Sequence, residues 1–381
     1  MNKKMIGVAV IAAGGRSRGV VSNLLRDGAN VQIKAVYDPD QVVAAATVKS
    51  WGQLDTKICA TYQDAIHTPG VDWVMVFSPN AFHKEHIVAA FEAGKNVFSE
   101  KPLATKIEDC QTIFDAHQKA GVMFATGFVL RYAPIYLKAK ALIDSGKIGR
   151  ILSIDANENI SPDHGGYIMT NWRRLTEMAG PHILEKCCHD LDLINWFTQS
   201  IPSKVAGFGG LDFFVPANRE LIEKFPTPNG LSVFRGWEDP HAKPCPFESD
   251  KDLMDNLVAI MEFRNNIRVQ FQATMSNALP ERRMYFSGTE GTMIVELYSS
   301  TLQVKRIGDE KAQTFSFGDD GHGGGDDFIM KELYDTMING TLPKCSGNEG
   351  LTSAIAALAI DQAAQKRQVV DLEPVWKALG R

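Results

Sequence analysis

Short apolar runs punctuate the first third of the chain at Met5–Ile11, Val31–Val36, Lys57–Ala60, Val74–Phe77, Asn96–Phe98 and Met123–Thr126. Each has the length and composition of a buried strand. Between them, Phe82–Ala93 places Ile87, Ala90 and Phe91 at helical spacing, and Ile107–Ala120 does the same with Ile113, Ala116 and Ala120. Strands alternating with helices predict a parallel, doubly wound sheet joined by crossovers.

After Gly127 the pattern changes to a helix around Ile135–Asp144, a strand starting near Ile151, and longer loops rich in Pro, Gly and Trp. Leu257–Phe263 and Ile267–Met275 alternate with period two about Arg264–Asn266, and Arg283–Ser287, Thr292–Tyr298 and Leu302–Ile307 look similar. Two helical runs, Asp326–Ile338 and Asn348–Arg367, close the chain. The expected fold class is α/β: an N-terminal Rossmann domain over 1–128, then an α+β domain over 129–381 with a large, mostly antiparallel open sheet. A length of 381 residues fits two domains better than one core.

Composition adds exclusions. With 44% hydrophobic and 22% charged residues and a net charge of −5, no basic run is long enough to follow a phosphate backbone, so no nucleic-acid partner is expected. Met5–Ile11 is too short to span a bilayer and lacks a cleavage site, so it reads as a first strand rather than a signal peptide, with no membrane partner. Six irregularly spaced cysteines suit a reduced, cytoplasmic protein. Cys187, Cys188 and His189 with Cys245 lack the paired spacing of a zinc site, so no metal is expected.

The segment Ala12-Ala13-Gly14-Gly15-Arg16-Ser17-Arg18-Gly19 follows the first strand and opens a helix, where a dinucleotide turn would lie. Small residues let the backbone approach a pyrophosphate, and the helix N-terminus favours its charge. Against G-x-G-x-x-G, Ala12 stands for the first glycine and Ser17 for the third. Ala13, Gly14, Gly15, Arg16, Ser17 and Arg18 are the candidate cofactor residues here. Asp38, ending the second strand, could accept hydrogen bonds from both adenosine ribose hydroxyls, which favours NAD over NADP; an ordinary Asp-Pro turn is the plainer alternative.

Two more turns lie just past predicted strands, Ser78-Pro79-Asn80 with His83, and Glu100-Lys101-Pro102. Ligands of open α/β sheets bind at that edge. These segments, with Leu184-Glu185-Lys186-Cys187-Cys188-His189-Asp190-Leu191-Asp192, closely resemble the Gfo/Idh/MocA family of oxidoreductases, and the resemblance covers most of the chain. It implies that Glu100-Lys101-Pro102 borders the nicotinamide, with a peptide before Pro102 that is often cis, and that Lys101 hydrogen-bonds the reacting hydroxyl, positioned by Glu100. His189 matches the family histidine that acts with Lys101 as proton acceptor. Glu185 and Cys187 depart from the family's aspartate and glycine; Glu185, four residues before His189, would share its helical face. Lys186 is a rival for a substrate-contacting role, and Asp192 for the partner that fixes the histidine tautomer.

The resemblance also marks Arg131, in Phe128-Val129-Leu130-Arg131-Tyr132, as a cofactor or substrate contact. Trp172 and Arg173, near His164-Gly165-Gly166-Tyr167, and His322 in Gly321–Asp326 sit in segments that mix glycine with polar and aromatic side chains and can close over a sugar. The implied activity is hydride transfer between NAD and a hydroxyl or keto carbon of a sugar, sugar derivative or cyclitol such as inositol, by a homodimer or homotetramer. Two alternatives stay open: glycoside cleavage by transient oxidation and elimination with NAD recycled, and a non-catalytic NAD or sugar sensor.

Overall fold

The structure, a computed structural model, describes residues 5–225, 232–237, 239, 241–318 and 323–381. The chain divides into two compact units, Met1–Ala133 with Gly324–Thr352, and Pro134–Gly323 with Ser353–Arg381. The first unit therefore recruits a late segment of the chain, which carries the helix Gly325–Asn339.

Six strands build the first unit's sheet: β1 (Ile6–Ile11), β2 (Val31–Tyr37), β3 (Lys57–Cys59), β4 (Trp73–Val76), β5 (Asn96–Ser99) and β6 (Phe124–Thr126). All pair in parallel in the order β3-β2-β1-β4-β5-β6. That is the doubly wound Rossmann order, with its reversal between β1 and β4. The central β1 has all six residues buried, as a strand covered on both faces requires.

The turn from β1 into the helix Gly15–Asp27 strains one departure from the glycine pattern and accommodates the other. Ala12 takes φ +71°, the left-handed region where glycine is the usual occupant. Ser17 is fully buried, and its hydroxyl donates to the Gly14 carbonyl at 2.8 Å, so the added polar group is satisfied within the turn.

The second unit holds β7 (Ile151–Asn159), β8 (Pro202–Gly210), β9 (Asn256–Phe263), β10 (Arg268–Thr274), β11 (Arg283–Gly288), β12 (Gly291–Glu296), β13 (Thr301–Arg306), β14 (Gln313–Ser316) and β15 (Val370–Asp371). Their order is β14-β13-β12-β11-β7-β10-β9-β8-β15, with only β7 and β10 pairing in parallel. Along β9 exposed and buried residues alternate strictly, so one face is core and the other is open. Residues 162–170, expected as a loop, form the helix Pro162–Thr170. Gly166 is required there by packing, since a Cβ would stand 1.8 Å from the Phe234 carbonyl oxygen.

One buried charge network stiffens this unit. The Arg282 guanidinium donates to both carboxylate oxygens of Asp190, at 2.9 and 2.8 Å, and also pairs with Glu158. All three are at most 4% exposed. Burial pushes the Asp190 carboxyl up to about 6, against the pull of Arg282.

Two substitutions test these assignments. Ala12→Gly relieves the left-handed alanine and raises stability by about 1 kcal/mol in urea unfolding; a loss would mean the turn is unstrained. Arg282→Met strands two buried carboxylates and lowers stability by about 3–5 kcal/mol, whereas an effect under about 1 kcal/mol would mean the network is solvated.

Candidate functional site

In the first unit, Asp38 closes β2 and turns its carboxylate inward on the chain. One oxygen accepts from the Ala13 amide at 2.8 Å and the other from the Asp40 amide at 2.9 Å. The second strand's acid is thereby fixed against the turn after β1. Ala13 is fully buried, and its carbonyl accepts from the Thr47 hydroxyl at 2.8 Å. Beyond it, a Cβ added at Gly14 or Gly15 would meet nothing within 4 Å. The helix from Gly15 has no side-chain cap at Gly14 and no acidic residue in its first turn. Open space before uncapped helix amides fits an anionic group such as a pyrophosphate.

Arg16 leaves this turn for Glu100. Its Nε lies 2.6 Å from Glu100 Oε1 and its Nη1 2.8 Å from Asp326 Oδ1. Burial opposes the guanidinium charge, but the two carboxylates more than offset it and raise the pKa. Glu100 Oε2 also accepts from the Lys101 amide at 3.3 Å. Gly127 leaves room for this carboxylate, since a Cβ there would stand 2.8 Å from Glu100 Oε2. The peptide before Pro102 is cis, as the resemblance implies.

His83 is 1% exposed, and its two ring nitrogens lie against the carbonyls of Pro102 and Ser78, both at 2.7 Å. Its nitrogens are thus engaged within the protein and shape the two turns, rather than reaching toward a dinucleotide. Ser78 is held a second time, its hydroxyl 2.9 Å from His86 Nδ1. Burial, with His83 beside it, pulls the His86 pKa down to about 4, so that ring is neutral near pH 7. Asn80 is buried at the start of the following short helix. Arg131 is buried and donates to the Lys344 carbonyl at 3.4 Å.

In the second unit, Glu185 and His189 lie on separate helical pieces, His182–Glu185 and Cys188–Thr198, parted by Lys186 and Cys187. Lys186 and Cys187 themselves keep right-handed helical backbone angles. Glu185 pairs with Arg173, Oε1 to Nε at 2.7 Å. Arg173 stacks 4.3 Å over the Trp172 ring and also donates to Tyr167 Oη at 3.3 Å. Lys186 Nζ stands 3.7 Å from the buried Glu158, so the charge network of the core reaches this motif. Tyr167 and His164 both meet Trp237 edge-on, at 5.0 and 4.7 Å. Burial, then Lys186, pulls His164 down to about 3, leaving it uncharged. His189 is buried, and Cys187 is buried with its thiol pushed up by desolvation, which makes it a poor nucleophile. His322 lies outside the described residues. Among those described, no cluster of three or more His, Cys, Asp and Glu is placed to hold a metal ion.

Sequence reasoning missed Asp326, Gly127 and Glu158. Asp326 meets Arg16 across 310 positions, and nothing local announces such a pair. Gly127 had a signal in its place after the last parallel strand. Glu158 reads as one more polar position of β7.

Comparison with known proteins bears on these motifs directly. Residues 6–128 match the family described as "Oxidoreductase family, NAD-binding Rossmann fold", and residues 140–372 its "C-terminal alpha/beta domain". The chain is 24% identical over 312 residues to the putative oxidoreductase YteT of Bacillus subtilis, covering 69% of this chain and 72% of that one. It is 33% identical over 195 residues to an inositol 2-dehydrogenase of Gluconacetobacter diazotrophicus, covering 50% and 54%, so that match spans about half of each protein. A levoglucosan dehydrogenase solved with NADH and levoglucosan shares the fold at a TM-score of 0.79 and 20% identity, over 97% of this chain and 99% of that one. With matched domains running through nearly the whole chain and the Rossmann order and Glu-Lys-Pro turn in place, the protein belongs to the Gfo/Idh/MocA family of oxidoreductases.

Proposed function

We propose that the protein is an NAD-dependent dehydrogenase of a sugar, sugar derivative or cyclitol. The carrying observation is the first unit's edge, where the open Gly14-Gly15 turn, the Asp38 carboxylate and Glu100-Lys101-Pro102 all follow the C-terminal ends of parallel strands. Bound NAD would supply the hydride acceptor at its nicotinamide. The Gly15 helix terminus would face the pyrophosphate and Asp38 the adenosine ribose. A 2′-phosphate would meet the Asp38 charge, which favours NAD over NADP.

Lys101 is assigned the reacting hydroxyl, where an ammonium stabilises the developing alkoxide. His189 is assigned the proton, for which imidazole is suited near neutral pH. In the second unit, Trp172 offers a ring to the C–H face of a carbohydrate, while Arg173 and Lys186 offer donors to its hydroxyls. The inositol and levoglucosan dehydrogenases among the similar proteins support this substrate class.

We also assign the protein to the cytoplasm, supported by six cysteines that form no disulfide, and to a homodimer or homotetramer built on the open face of the nine-stranded sheet. Phe208, Val258 and Ile260 stand together on that face, with Phe208 paired to Val258 across β8 and β9. Ile260→Asp would shift the sedimentation mass to the monomer; an unchanged mass would exclude this face.

The activity is tested by incubating the protein with NAD and a panel of inositols, aldoses, glycosides and keto-sugars, following nicotinamide absorbance and products together. Net NADH with one polyol or sugar is expected, and Lys101→Met then lowers kcat by at least about 100-fold with NAD binding retained. Glycoside cleavage without net NADH, binding without turnover, or full activity of Lys101→Met would each overturn the proposal.

A further inference from the structure

We propose that His83 is a positioning residue that acts as a buried imidazolium clasp, donating from both ring nitrogens to lock the Ser78 turn to the Lys101-Pro102 turn. The inference rests on the dehydrogenase reading for its kinetic consequence only.

Both of the ring's neighbours are backbone carbonyls, Pro102 O at Nδ1 and Ser78 O at Nε2, each at 2.7 Å. A carbonyl oxygen accepts and has no proton to give. A neutral imidazole has one N–H, so it would leave the lone pair of its other nitrogen facing a carbonyl lone pair at hydrogen-bond distance. Only the doubly protonated ring satisfies both contacts, in either assignment of the two nitrogens.

On balance burial, the largest influence, holds the ring's pKa below its ordinary value, with the Lys101 ammonium acting the same way. The two carbonyl acceptors and the Glu100 carboxylate act to hold the second proton, and it is the pair of 2.7 Å carbonyl contacts that argues for the charged ring against that desolvation. On the same helix, which also carries Lys84, Glu85 and Glu92, His86 is kept neutral by burial and by His83, with Glu85 acting the other way. Charge-assisted donors to carbonyls are also the strong class of hydrogen bond, and water is excluded here from a ring 1% exposed.

The two carbonyls belong to turns after adjacent parallel strands, β4 and β5. Ser78 begins the Ser-Pro-Asn turn, and Pro102 directly follows the lysine assigned to the reacting hydroxyl. With β4 and β5 ending at one edge, the strand ladder and this ring both tie the backbone beside Lys101 to the Ser78 turn. Loss of the clasp lets Lys101 drift without altering Gly14, Gly15 or Asp38, and misplacement of about 1 Å costs on the order of 100-fold in rate.

The experiment is 15N NMR of the full-length protein with labelled histidine, the His83 ring being identified by its disappearance in His83→Gln. Two slowly exchanging ring N–H signals at pH 7 are expected from that one ring. A single ring N–H, or a neutral pattern of nitrogen shifts, overturns the proposal, and this reading needs neither cofactor nor substrate. His83→Gln can donate to one carbonyl only; its kcat should fall at least tenfold while its NAD Kd stays within about threefold. Unchanged kcat in a variant with native thermal unfolding would likewise overturn it. Failure to find any turnover substrate, with the two N–H signals present, would count against the dehydrogenase reading and leave the clasp standing.

Discussion

Parallel pairing forces every strand of a sheet to end on the same side, and in this protein that constraint decides where chemistry can be placed. Each crossover returns the chain to the opposite edge, so the turns after β1, β2, β4 and β5 accumulate together at the C-terminal one. Ala12 to Ser17, Asp38, Ser78 to Asn80 and Glu100 to Pro102 are those turns. Their mutual hydrogen bonds are the direct result: Asp38 to Ala13, Arg16 to Glu100, and His83 to both Ser78 and Pro102. The Asp38–Ala13, Arg16–Glu100 and His83–Pro102 contacts each hold one turn in register with another, and the His83–Ser78 contact closes the turn that carries the ring.

That edge is built at some cost in stability. Ala12 occupies backbone space where glycine is unstrained, and Glu100 and His83 place charge or polar groups away from water. The compensation is local and visible: Ser17 satisfies itself on Gly14, Arg16 has two carboxylates, and Gly127 clears the volume that Glu100 needs. In the second unit the corresponding core element is Arg282 between Asp190 and Glu158, and Lys186 is the point at which this network meets the motif that contains His189.

The elements most legible in the sequence were those whose periodicity comes from burial on both faces or on one. Five of the parallel strands and the β9–β10 hairpin stood out for that reason, whereas β3 buries only Cys59. β8, with the sequence PSKVAGFGG, was obscured by its proline and three glycines, and β15 is only two residues long. The helix Pro162–Thr170 hid behind Gly165 and Gly166, glycines that serve close packing rather than a loop. For the site, residue types and their order after strands located the turns, because strand ends are local features. Long-range pairings were invisible: Arg173 reaches Glu185 from a separate element, and Lys186 reaches Glu158 of β7, pairings that no spacing rule encodes.

The claim on which everything else leans is that this edge receives NAD. Isothermal titration with NAD, NADP and ADP-ribose tests it most directly. The account predicts saturable one-to-one binding of NAD, at least tenfold tighter than NADP because of the carboxylate of Asp38, with ADP-ribose retaining much of the affinity. Equal or tighter binding of NADP, or no binding of any of the three, would contradict it.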